Sequence, residues 1–152
     1  MKTKAILIIL TLLCAIPPRS PINGHASDTD EMRSRIIKTA EKYLGARYNY
    51  GGMSTAGFDC SGFVQFVFRQ NGITLPRSTV DQFEHGKKIG LSDAKPGDLV
   101  FFNIYGRRVS HVGIFVRTAV FIHAPTWGKR VSFADMNLDY WKKSFVGVVT
   151  YF

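Results

Sequence analysis

Apolar positions along the chain change period twice. A continuous apolar run over residues 5–16 follows Lys2 and Lys4 and stops at Pro17 and Pro18. It is shorter than the roughly 20 residues that span a bilayer. Beyond it, Ile36, Ile37, Ala40, Tyr43 and Leu44 recur at helical spacing, with Ser27, Asp28 and Thr29 as candidate caps and Gly45 as the stop. Residues 46–59, ARYNYGGMSTAGFD, are rich in glycine and small residues and read as a loop. A second helix is predicted from Cys60, with Phe63, Val64, Val67 and Phe68 on one face and Asn71-Gly72 as its end. A short third helix follows Ser78.

After Pro96-Gly97-Asp98 the pattern becomes that of strands. LVFF at 99–102 comes first, then VSHVGIFV across a tip at Gly106-Arg107-Arg108, then residues 119–123, 131–133 and 145–152, with a turn over 125–129. Helices first and an antiparallel meander afterwards is an α+β order, not alternating β-α-β. The expected fold is therefore N-terminal helices and a small antiparallel sheet of about five strands, the Cys60 helix packed on one face.

Composition narrows the class. A chain of 152 residues with 45% hydrophobic and 20% charged residues has the balance of one globular domain, and its 12 Phe, 6 Tyr and 2 Trp supply a core. The amino-terminal pattern reads as a secretory signal, with small residues at Gly24 and Ala26 before a cut after Ala26. Residues 1–26 are thus expected to be removed and 27–152 to form a single exported domain. Cys14 closes the apolar run, where a lipoprotein would be anchored, but Leu13 stands where a small residue is wanted. Peripheral membrane association is expected only if Cys14 carries lipid. The mature chain keeps 17 basic against 11 acidic residues, a net charge of +6. That charge suits an anionic partner such as a cell-wall polymer, and export argues against nucleic acid; a surface that merely aids solubility fits it equally.

Cysteine usage is more informative. With Cys14 removed, Cys60 is alone, which excludes a disulfide inside the domain and leaves a zinc site one thiolate to draw on. A lone cysteine is either an inert buried thiol or a reactive one. FDCSGFV places Cys60 at a helix start, where unpaired N–H groups and the positive dipole end favour thiolate and lower the pKa. Asp59 is a candidate cap, Ser61 and Gly62 allow another chain to approach, and the Cys60 N–H is a candidate oxyanion donor. A base must come from elsewhere, and the mature histidines are His85, His111 and His123. His85 lies in a polar EHGKK segment and reads as a solvated helix end. His111 opens the strand HVGIF and His123 ends the next, so the two can touch across adjacent strands. One could be the base and the other orient it, both could be structural, or both could join Cys60 on a metal.

The ordered set ARYNYGG, GFDCSGFVQFVF, LPRST, PGDLVFF, SHVGIFV and FIHAPT resembles the NlpC/p60 family of papain-like cell-wall cysteine peptidases, over about residues 36–149. The resemblance implies a papain-like fold and hydrolysis of stem peptides in peptidoglycan, typically between D-γ-glutamate and a diamino acid. It implies Cys60 as nucleophile, His111 as general base and His123 as the residue that orients the imidazole. Tyr48 matches a tyrosine near the thiol that assists the oxyanion, Asp59 and Ser61 match positions lining the pocket for the substrate's free amino end, and Arg77 belongs to the same pattern. Neither metal nor cofactor is expected, and a monomer is. Arg117 stands where the family often has glycine. Rivals are a papain-like amidase or acyltransferase with the same triad, a non-catalytic wall-binding protein, and a toxin with the same chemistry.

Overall fold

The computed structural model of the chain describes residues 24–106 and 108–152. Residues 1–23 of the expected leader, with Cys14, fall outside these residues; its last three, 24–26, open the first helix, which therefore starts before the expected caps Ser27, Asp28 and Thr29. Among the described residues four α-helices form, α1 (Gly24–Glu41), α2 (Cys60–Gln70), α3 (Thr79–His85) and α4 (Asp139–Ser144). Two short strands, β1 (Met53–Ser54) and β2 (Gly57–Phe58), make a hairpin of their own. The main sheet holds β3 (Lys87–Ile89), β4 (Leu99–Phe102), β5 (His111–Arg117), β6 (Val120–His123), β7 (Ser132–Asp135) and β8 (Phe145–Thr150). It is antiparallel throughout, in the order β3-β8-β4-β5-β6-β7.

Period-2 alternation splits each central strand between two cores. Leu99, Phe101, Val112, Ile114, Ile122 and Val149 face α2 and meet Phe63, Val64, Val67 and Phe68, with Ile36 and Ala40 of α1 behind them. Full burial of each such side chain contributes about 1.5–3 kcal/mol, so this layer fixes where α2 lies. A buried ion pair ties α1 to the turn before β4: Arg33 donates to Asp98 (2.8 Å) and to the Pro96 carbonyl (2.9 Å) while stacking on Phe152. On the other face Val100, Phe102, Phe115, Phe121 and Val148 pack with Met136 and with Trp141 of α4.

The α+β architecture agrees with the pattern of the sequence; several details differ. The sheet has six strands, not about five, because β3 joins the edge beside β8. KKI there is largely exposed and has no apolar alternation to read. Helices cover both faces, because α4 packs Trp141 on the second one; at six residues it is too short to show a helical period in the sequence. The first helix stops at Glu41 instead of Gly45, and Leu44 is exposed in the turn that follows. Gly45 instead donates its N–H to the Val131 carbonyl.

Candidate active site

The loop before α2 is built around one carboxylate. Asp59 caps the helix by accepting from Gly62 N (2.7 Å), and it also accepts from Gly51 N (3.0 Å) and Ser61 Oγ (3.3 Å). Arg77 grips it with both guanidinium nitrogens, at 3.1 and 2.6 Å, and donates to Ser61 Oγ at 2.8 Å. Five donors occupy Asp59, and Ser61 is committed to the same knot. An incoming ammonium would have to share this carboxylate with Arg77. Gly62 is required by space: a Cβ there would collide with the Gly52 carbonyl, which packs on the first turn of α2. The close approach expected of Ser61-Gly62 is thus made by the glycine.

This knot presents Cys60 at the first position of α2, half-buried, on the wall of a cleft of about 650 Å³. Tyr48, Asp59, Ser61, Arg77 and His111 line the same cleft. The Cys60 N–H, first of the helix, has no acceptor among the described residues, as an oxyanion donor requires. Burial pushes the thiol above its ordinary value, opposed by hydrogen bonds from the Thr79 hydroxyl and the amides of Val112 and Ser61. Thr79 Oγ1 lies 3.7 Å from Sγ. The helix start was expected to lower this pKa; desolvation outweighs it, and the resting group is a neutral thiol.

His111 and His123 meet as the strand alternation allows. Nε2 of His111 lies 2.7 Å from Nδ1 of His123, a hydrogen bond and too close for a metal between them. With Nε2 so engaged, Nδ1 is the nitrogen of His111 left for the cleft. Both rings are almost fully buried, and Trp141 packs on each, at 5.6 and 5.1 Å between centroids. Desolvation first, and the neighbouring His123 second, hold His111 well below 6.5. Desolvation lowers His123 to about 4. Both imidazoles are therefore neutral at pH 7, and the low value of His123 leaves its Nδ1 free to accept. In the tautomer with His111 Nε2–H donating to it, His111 Nδ1 carries the lone pair.

Tyr48 is half-buried, and burial, followed by the charges of Cys60 and Asp59, raises its phenol to about 12. It stays a donor, with no hydrogen bond to another described side chain. His85 ends α3, exposed, with Nδ1 on the Asp81 carbonyl (2.8 Å) and outside the cleft. Two contributors escaped the sequence reading. Thr79 lies in the LPRST segment that drew notice for Arg77, whereas Trp141 has no local signal at all.

The cleft can be set beside known proteins. The description "NlpC/P60 family" matches over residues 45–150. The Murein DD-endopeptidase MepS/Murein LD-carboxypeptidase of Escherichia coli (strain K12) is 43% identical over 116 residues, covering 76% of this chain and 61% of that protein. The Gamma-DL-glutamyl hydrolase of Bacillus subtilis (strain 168) is 42% identical over 116 residues, 74% of this chain and 28% of that one. The chain thus spans only part of the length of these curated relatives. Among solved structures, the NlpC/p60 domain of peptidoglycan hydrolase SagA superposes with a TM-score of 0.69 at 35% identity, over 78% of this chain and 97% of that one. An NlpC/P60 family protein from Bacillus cereus gives 0.74 at 30% identity, over 78% of this chain and 40% of that chain. From the match to the family description, the shared sequence and the shared fold together, the chain belongs to the NlpC/P60 family.

Proposed function

We propose that the protein is a peptidoglycan hydrolase, a cysteine endopeptidase acting on stem peptides, with the D-γ-glutamyl–diamino acid bond as its target. The observation that carries this reading is a cleft lined by the Cys60 thiol and by His111, whose ring is fixed by the 2.7 Å contact to His123. Relatives named as a gamma-DL-glutamyl hydrolase and as murein peptidases support the substrate class.

The mechanism starts from neutral partners. As the scissile carbonyl meets Sγ, the thiol proton passes to His111 Nδ1 and a carbon–sulfur bond forms. Charge on the carbonyl oxygen is taken by the Cys60 N–H and the Tyr48 hydroxyl. His111, now an imidazolium, keeps its Nε2–H bond to His123 and returns the proton to the leaving amine as the carbon–nitrogen bond breaks. Water, deprotonated by His111, then cleaves the thioester, releasing the acid and restoring the thiol. Asp59, Ser61 and Arg77 shape the end of the cleft that receives the substrate's amino end. An envelope or extracellular location, reached through the leader expected at 1–26, goes with this substrate.

Digestion of purified sacculi followed by mass spectrometry of the fragments tests the reading. Expected is a new γ-glutamyl carboxyl end from the wild type and none from a folded Cys60→Ala variant. Full activity in that variant would sink the mechanism. The name of the Escherichia coli relative favours a second reading, DD-endopeptidase or LD-carboxypeptidase cleavage of murein; the same spectra separate the readings by fragment mass.

A further inference from the structure

Beside the cleft the chain gathers cations that nothing neutralises. Residues 45–48 pair with 129–131: Gly45 N donates to Val131 O, Val131 N to Ala46 O and Tyr48 N to Lys129 O. This pairing sets Arg47 directly opposite Arg130 in an antiparallel bridge. Like charges facing each other across strands are destabilising. Among the described residues five cations are paired with acids, Arg33 with Asp98, Arg35 with Glu31, Arg77 with Asp59, Lys88 with Glu84 and Lys143 with Asp139. Several others, Arg69 and Arg117 among them, have no such pair; what sets this place apart is that the fold brings three such cations together. Arg47, Lys129 and Arg130 have no ion pair among the described residues.

The three line a cavity of about 260 Å³ whose other walls are Tyr48, Trp127 and Gly128. No acidic residue lines it, nor the larger cavity that Lys129 and Arg130 share on their other side. Tyr48 and Trp127, with ring centroids 6.2 Å apart, also line the catalytic cleft, so they form the wall common to both. Trp127 is 69% exposed, a large apolar side chain left at the mouth of both cavities. The Arg130 guanidinium is steadied by the Gly45 carbonyl at 2.8 Å, with its remaining donors open.

We infer that Arg47, Lys129 and Arg130 form an anion subsite that takes a free carboxylate of the peptide lying in the catalytic cleft. This rests on the peptidase reading above. A γ-linked glutamyl residue keeps its α-carboxylate free close to the scissile bond, and the peptide's C-terminus supplies a second carboxylate. The chemistry is the same for both, planar carboxylate against guanidinium and ammonium.

The test uses the full chain carrying Cys60→Ala and one synthetic γ-glutamyl stem peptide in three forms. One has both carboxylates free, one has the α-carboxylate amidated, and one has the C-terminus amidated. Calorimetry at low salt should show one amidated form binding about tenfold more weakly, and that form identifies the carboxylate bound. The difference should vanish in R47Q/K129Q, return in R47K/K129R, and shrink in about 1 M salt, where the screening length is about 3 Å. Arg130 is left in place because its side chain also braces Gly45. Equal binding of all three forms at low salt overturns the subsite, as does a difference that persists in R47Q/K129Q. Wild-type protein that discriminates in binding yet hydrolyses no form refutes the peptidase reading and leaves the subsite standing.

Discussion

The two walls of the cleft solve opposite problems. On the helix side, one carboxylate accepts from two backbone amides, a hydroxyl and both ends of a guanidinium. On the sheet side, two imidazoles share a single hydrogen bond in an aromatic surround of Phe102, Phe121 and Trp141. The first region is saturated and holds a shape. The second is desolvated, and its lone pair stays available because burial has kept the proton off it. Position comes from satisfied polar groups and reactivity from under-solvated ones, placed a few side chains apart.

The largest effect should come from removing the proposed base. His111→Ala is expected to lower kcat/KM about a thousandfold, within the range for general base loss, and to lower the melting temperature as well, since it empties a buried site and leaves His123 without its partner; wild-type-like turnover of the folded fraction would show that the sheet side is not the reactive one. Acid should separate the walls next. His111 and His123 have folded pKa values below the unfolded 6.5, so the unfolded chain binds the extra protons and stability falls as pH drops. For His123 the loss runs from about 6.5 down to about 4, amounts to about 3 kcal/mol, and is fully recovered above pH 7. Denaturant titrations from pH 7 to 4 measure it, and His123→Asn should flatten that curve. The same depression should carry the acid limb of kcat/KM well below 6.5, which a pH–rate profile reads.

Breaking the other wall should cost stability as well as rate. Asp59→Ala removes the cap of α2 and strands Arg77, whose side chain is 37% exposed. Solvent there discounts the usual penalty for a broken buried pair, leaving a loss of about 2 kcal/mol. A chemical melt measures it; an unchanged midpoint would mean that the knot is ornamental. The smallest change is expected from His123→Asn, whose side-chain oxygen can still accept from His111. About a tenfold fall in kcat follows from imperfect orientation, read as kcat against KM on a defined muropeptide.

Much of this contrast was visible in the chain alone, for identifiable reasons. Cys60 is legible because a helix start is a local event, written in Asp59, the apolar spacing of Phe63, Val64, Val67 and Phe68, and the small residues beside them. His111 and His123 are legible because alternation assigns faces and neighbouring strands pair. Arg77 appeared only as part of a pattern, since nothing local says that it returns to Asp59 across 18 positions. Trp141 was invisible because a helix of six residues has no period. Lys87–Ile89 was invisible because an exposed edge strand needs no apolar alternation.

By itself the sequence determined the α+β order, the placement of a lone cysteine at a helix start and of two histidines on adjacent strands. These follow from periodicity and chain neighbourhood, which act over a few residues. Tertiary structure decided the protonation of those groups. A helix dipole read in isolation favours thiolate, but desolvation depends on everything packed around Sγ and the imidazoles, and it leaves the resting pair neutral. It also brought Arg47 opposite Arg130, 83 positions apart in sequence, because only the folded chain decides which charges must face one another.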